Sequence, residues 1–186
     1  EIIIDQYTFC EALGKSGKEP MLVLRNLKTE EYLGGSAAIS RHLSDFCKNV
    51  ALYGMIGNND QFDKKIKKRL PGNINFKYLR KTNSPTIVKK RFLDFNTKSK
   101  LFGVYDLNDQ LISKQDEVKF INLFKKNNKK TDFTIIADYG HGIITKKICD
   151  IITKKSKFLA ANVQINAANK GYHSLLNYKK VDCVII

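Results

Sequence analysis

The stretch YLGGSAAISRHLSDFCKNVALYGMIGNND, Tyr32 to Asp60, decides the fold class of this chain. It runs from an extended segment into the paired glycines Gly34 and Gly35, through a helical pattern, and into the apolar run NVALYGMIG. Over residues 35 to 47, Ile39, Leu43, Phe46 and Cys47 share one helical face and Ser40, Arg41, Ser44 and Asp45 the other. A strand, a tight glycine junction, an amphipathic helix and a buried strand make one unit of an α/β layer.

Outward from that unit the same rhythm continues. The runs EIII, DFTIIAD, KFLAAN and DCVII are short, β-branched and bounded by polar residues, as strands buried in a parallel sheet are. Ser113 with Asp116 and Glu117 reads as the capped start of a helix carrying Val118, Ile121 and Phe124, and Thr145 plays the same part before Ile148, Ile151 and Ile152. The predicted fold is α/β, a doubly wound and mostly parallel sheet flanked by helices. Two segments, about 7–33 and 84–106, instead alternate polar and apolar residues around the turns GKSGKEP and DFNTKSK. They are expected to form a small inserted β-sheet, a candidate lid or dimerisation surface.

Length and composition bound the rest. The 186 residues suffice for one core, with 42% hydrophobic and 27% charged residues, and no apolar run reaches the roughly 18 to 20 needed to cross a bilayer. Cys10, Cys47, Cys149 and Cys183 are dispersed, without zinc-ligand spacing, and read as reduced thiols of a cytoplasmic protein. The net charge of +15 is mostly lysine, scattered through KKIKKR, KKNNKK and TKKICDIITKKSK. That pattern favours a solvated surface over a nucleic-acid face, where arginine and exposed aromatics gather. The chain opens on EIIID without methionine and stops on the apolar VDCVII, so a piece of a longer protein is expected, with a tendency to self-associate or to be marginally stable.

Three places carry candidate chemistry. Gly34 and Gly35 allow positive φ and close approach of a ligand to the main chain, beside the N–H groups that open a helix. A turn that needs glycine for steric reasons alone explains them as well. Asp5 closes the first strand at the edge where ligands bind in open α/β sheets, and a carboxylate there can accept bonds from adjacent hydroxyls; alone it is equally a turn residue. Asp138, in IIADYGHG, ends another strand at the same edge, and a shared pocket explains all three places.

The opening stretch, with its turn from Gly54 through Gly57 to Asn58, Asn59 and Asp60, resembles the N-terminal signature of the ribokinase-like (PfkB) carbohydrate kinases. SPTIVKKRFLDFNTKSKLFGVYD and TIIADYGHGIIT resemble the second lid pair and the D-Y-x-K-G segment of the heptose phosphate kinase branch, and the likeness covers nearly the whole chain in order. The resemblance implies an enzyme that moves the γ-phosphoryl group of ATP, with magnesium, to a hydroxyl of a sugar or sugar phosphate. Asp5, Gly34 and Gly35 would bind sugar hydroxyls, Lys89 and Arg91 on one strand face would meet a sugar phosphate, and Asp138 would lie near. The lid would clasp a second subunit, giving a homodimer; no nucleic acid or membrane partner is implied.

Departures from the pattern are specific. Ala38 stands where many relatives carry a sugar-contacting asparagine, and His141 where the branch has lysine; a lone histidine there reads as surface or structural. NVQINAANKG replaces an aspartate-proline-lysine run, with Asn162, Gln164 and Asn166 as neutral substitutes. No G-x-G-D segment, the source of the base aspartate in these kinases, occurs in the chain, and no Walker-type loop does. The expected catalytic residue therefore lies beyond Ile186, no metal ligand is assigned, and the chain is read as one incomplete kinase domain, 1–186, that binds sugar without turnover. Two alternatives are a kinase-derived binding or association module and a basic nucleic-acid-binding domain.

Overall fold

The computed structural model describes residues 1–58, 62–127, 131–165 and 175–185. Strand β1 (Ile2–Lys15) starts in the core and runs outward, and β2 (Leu22–Gly34) returns antiparallel to it, from Lys15 opposite Leu22 to Ile3 opposite Gly34. Helix α1 (Gly35–Ser44) then leads to β3 (Val50–Gly57), α2 (Phe62–Arg69) and β4 (Ile74–Lys81), with β3 and β4 parallel. Next come β5 (Ile87–Asp94) and β6 (Lys100–Asp106), then α3 (Lys114–Asn127), β7 (Thr134–Asp138), α4 (Lys146–Lys155), β8 (Leu159–Val163), a short 3₁₀ turn (Leu175–Asn177) and β9 (Cys183–Ile185).

Helices lie on both faces of the parallel strands, as the alternation of each strand requires. From β3, Leu52 and Ile56 point into a cluster with Ala37 of α1 and Ile66 of α2, while Met55 points into a second cluster with Phe120, Ile121 and Phe124 of α3. The second cluster continues through Ile136, Leu159 and Ala161 to Ile148, Cys149 and Ile152 of α4. No helix among the described residues is long and apolar enough to cross a membrane.

Both predicted helix caps are present: Ser113 Oγ accepts from the Asp116 amide at 3.1 Å, and Thr145 Oγ1 from the Ile148 amide at 3.2 Å. Helix α1 departs from expectation. It ends at Ser44, the amides of Phe46 and Cys47 both fold back onto the Leu43 carbonyl, and Phe46 is turned out, 87% exposed. The face it buries is made by Ala37 and Ser40. Strand β4, INFKYLRK, is a further difference, because its charged residues hide a strand that gains its place from parallel pairing with β3.

Apart from the β1–β5 pair, the parallel strands form two blocks, β3–β4 and β7–β8–β9. The start of β1 touches both: the Glu1 amino group donates to the Ala137 carbonyl of β7 at 2.8 Å, and Ile2 packs directly over Gly54 of β3. Beyond the core, β1 joins a four-stranded sheet ordered β2-β1-β5-β6, in which β1 and β5 are parallel and the outer pairs antiparallel. This sheet supplies one wall of the site described next.

Candidate functional site

Strand alternation places Asp5 on β1 beside Lys89 and Arg91 on β5. Asp5 is in register with Lys89, and Tyr7 with Arg91. The Arg91 guanidinium closes an ion pair with the Asp5 carboxylate, both side chains about one-fifth exposed, and lies 5.5 Å from the centre of the Tyr7 ring and 5.9 Å from that of Tyr105. Lys89 is nearly buried, its Nζ 5.7 Å and 5.8 Å from the ring centres of Tyr105 and Tyr139. Burial, and then the neighbouring Arg91 charge, pull the Lys89 ammonium below the ordinary lysine range, against the opposing fields of Asp5, Glu1 and Asp109. An arriving anion would relieve both penalties at once.

The glycine pair sits against this group for two separate steric reasons. A Cβ at Gly34 would come 2.0 Å from Oδ2 of Asp5, so only glycine lets the strand pass the carboxylate. Gly35 has φ of +56°, and a Cβ there would come 2.4 Å from the Glu1 carbonyl oxygen. That same oxygen accepts from the Ser36 amide and Ser36 Oγ, both at 2.8 Å, so one of the opening N–H groups of α1 is already satisfied by the protein.

Glu1 is the organising residue that sequence reasoning missed. Its carboxylate accepts from the Tyr139 amide at 2.7 Å and from the His141 amide at 3.0 Å, which fixes the turn after β7 and aims Tyr139 at Lys89. His141 is buried, its Nδ1 2.9 Å from Oδ1 of Asp109, and burial holds its imidazole below the ordinary histidine range. The segment bearing Asp109 is held in turn by Lys81, whose Nζ donates to the Asn108 and Gln110 carbonyls at 2.5 Å and 2.6 Å. Tyr105 and Tyr139 were within reach of the sequence, since one follows the alternation of β6 and the other lies inside IIADYGHG.

Asp138 is used differently. It is 3% exposed; its Oδ2 accepts from the Tyr178 hydroxyl and its Oδ1 from the Gly140 amide at 3.1 Å. Burial, then the Asp138 charge, drive the Tyr178 phenol far above its ordinary range. The structure thus brings together Asp5, Gly34, Gly35, Lys89 and Arg91, and turns the Asp138 carboxylate toward Tyr178. Asn162 is half-buried on β8 opposite Ala137; Gln164 is exposed, its amide donating to the Asp138 carbonyl at 3.0 Å; Asn166 lies outside the described residues.

No group of three histidine, cysteine, aspartate or glutamate side chains suited to a metal ion occurs among the described residues. What the arrangement can do is offer a carboxylate to hydroxyls and two cations to an anion, with tyrosine rings between them.

No protein-family model matches the chain. The chain is similar to bifunctional protein HldE of Campylobacter jejuni (strain RM1221), 29% identical over 171 residues, covering 92% of this chain and 35% of that one. It is also similar to the HldE of a Nitratiruptor species, 26% identical over 156 residues, 84% of this chain and 33% of that one. The chain spans about a third of the length of the curated relatives it matches. Among solved structures, a possible 1-phosphofructokinase from Thermotoga maritima superposes with a TM-score of 0.64 at 16% identity, over 87% of this chain and 51% of that one. Ribokinase from Arabidopsis thaliana, solved with ribose and ATP, gives 0.55 at 14% identity, over 88% and 51%. The fold is that of the ribokinase-like sugar kinases.

Proposed function

We propose that this chain is the sugar-binding part of an ATP-dependent carbohydrate kinase acting on a sugar or sugar phosphate, of the heptose phosphate kinase kind. The observation that carries the reading is the joined set of Asp5, Arg91 and Lys89 against Gly34, Gly35 and the rings of Tyr105 and Tyr139. Asp5 would accept bonds from adjacent sugar hydroxyls. Arg91 presents a planar fork that can hold a phosphate with two parallel bonds while keeping one edge on Asp5. Lys89, nearly buried and crowded by Arg91, gains most when a phosphate brings negative charge.

In the whole protein, ATP with magnesium would supply the phosphoryl group, and residues outside these 186 would hold both and provide the base. This chain's own residues bind and orient the acceptor. A second copy across the lid sheet belongs to the same reading, since Leu101, Phe102 and Val104 of β6 are exposed. Sedimentation velocity tests that part, and a single monomeric species over the accessible concentration range would overturn it.

The principal test is calorimetric titration with hexose and heptose phosphates and the matched unphosphorylated sugars. At least one phosphate should bind more tightly than its parent sugar, weaken with salt, and lose about tenfold in affinity in Arg91→Ala. The reading fails if no sugar phosphate binds, or if duplex or single-stranded nucleic acid binds instead with a steep salt dependence.

A further inference from the structure

Three lysines near the site meet three different surroundings. Lys81 is nearly buried, and its Nζ donates to the Asn108 and Gln110 carbonyls at 2.5 Å and 2.6 Å. Lys90, on the opposite face of β5 from Lys89, is about one-third exposed and pairs with Asp106 at 2.7 Å. Lys89 is 8% exposed, and among the described residues its Nζ has neither a hydrogen bond nor an ion pair. Its neighbours are the rings of Tyr105 and Tyr139, which attract a charge but offer the N–H groups no oxygen acceptor through their faces.

An amine so placed is a poor ammonium and a good nucleophile. Burial takes water from the charged form and Arg91 adds like charge, while Asp5, Glu1 and Asp109 oppose them without reversing the result. No carbonyl or carboxylate tethers the head group, as carbonyls do at Lys81 and Asp106 does at Lys90. Burial holds Lys81 below its ordinary range too, but Lys81 is tied down and has no guanidinium in its own field to collect a ligand.

The geometry points to Lys89 as a covalent site for short phosphorylated aldehydes, with the phosphate on Arg91 and the carbonyl carbon on Lys89 Nζ. The inference rests on the anion seat proposed above at Arg91. Reach fits it: the two residues alternate on β5, about 6.6 Å apart along the strand, and their head groups lie 5.7 Å and 5.9 Å from the centre of the Tyr105 ring. A three-carbon chain with phosphate at one end and aldehyde at the other spans that gap. The amine lone pair adds to the carbonyl carbon and gives a carbinolamine. Its oxygen then leaves as water with the two amine hydrogens, and a C=N bond forms, so nothing is oxidised or reduced. A protonated imine keeps its positive charge beside the phosphate, and the near-burial of Lys89 limits the water that would hydrolyse it. The adduct would occupy the place proposed for a sugar phosphate and block it.

The test incubates the unaltered chain with glyceraldehyde 3-phosphate and cyanoborohydride, which reduces an imine to a stable secondary amine, and reads each lysine by peptide mass spectrometry. Lys89 should be modified about tenfold or more faster than Lys81 and Lys90, with a rate that rises with pH and levels off below the ordinary lysine pKa of about 10.4. Unphosphorylated glyceraldehyde should modify Lys89 about tenfold more slowly, and Arg91→Ala should erase that preference. Equal modification of the three lysines overturns the inference, and so does equal modification of Lys89 by the two aldehydes or a preference that survives in Arg91→Ala. If that variant does not fold, the comparisons on the unaltered chain decide. The sugar phosphate titration separates the two readings: binding there without selective modification overturns the covalent site alone, and the absence of both overturns the anion seat as well.

Discussion

Asp138 closes β7, whereas Asp5 lies inside the continuous β1 and not at the strand end its sequence context suggested, and the structure gives the two carboxylates opposite settings. Asp5 keeps about one-fifth of its side chain in solvent and meets Arg91 across a strand pair, with a glycine beside it. Asp138 is nearly buried and ties the turn after β7 to Tyr178, forty positions later in the chain. A partly exposed carboxylate with a cationic partner can exchange that partner for a ligand. One locked between a buried phenol and a backbone amide holds two segments together. The same residue type is thus left open to exchange in one place and locked for cohesion in the other, and solvent access with the nature of the partner decides which.

That contrast can be broken by substitution. Asp138→Ala removes the acceptor of a buried phenol, so it should cost about 3 kcal/mol in urea unfolding, whereas Asp5→Ala, at a partly exposed ion pair, should cost about 1 kcal/mol or less. Equal losses would end the distinction. Gly34→Ala drives a methyl group into the Asp5 carboxylate and is expected to cost about 2 kcal/mol. The same change in an Asp5→Ala background should be milder, and a double-mutant cycle without coupling would show that the glycine answers to something else.

Smaller effects sharpen the picture around the β7 turn. Thr145→Ala should lower stability by about 1 kcal/mol through the lost cap of α4 without touching sugar phosphate affinity. His141 gives a pH signature. Burial keeps its folded pKa below the ordinary value, against the fields of Asp109 and Glu1 and with that of Lys89, so the unfolded chain takes up a proton first as pH falls. Its contribution is complete above about pH 6.5 and is lost as pH drops from there toward the lower folded pKa. His141→Asn should flatten the stability profile over that window, and an unchanged slope would place the titration on another group.

Periodicity and capping made much of the fold legible. The runs at 50–57, 134–138 and 159–163 became parallel strands, and Ser113 and Thr145 cap their helices as read. Strand β4 was hidden because lysines and an arginine interrupt its alternation, and because its position depends on pairing with β3. Lys89 and Arg91 could be placed on one face from their spacing alone. The side-chain direction of Asp138 could not, since it depends on Tyr178, and nothing local marked Glu1 as the residue whose carboxylate, carbonyl and amino group meet Tyr139, His141, Ser36 and Ala137. Contacts between distant segments leave no period in the sequence.

Strand β1 has a mechanical consequence. Its 14 residues run without a break from the buried core to the outer tip at Lys15, a beam of about 45 Å clamped at one end. A cantilever of this kind has no loop to pivot on. Its compliance is concentrated at two interruptions of the ladder with β2, between Phe9 and Cys10 and between Ala12 and Gly14, both beyond Asp5 and Tyr7. The outer sheet can therefore flex at its far end while the segment carrying Asp5 stays as stiff as its clamp.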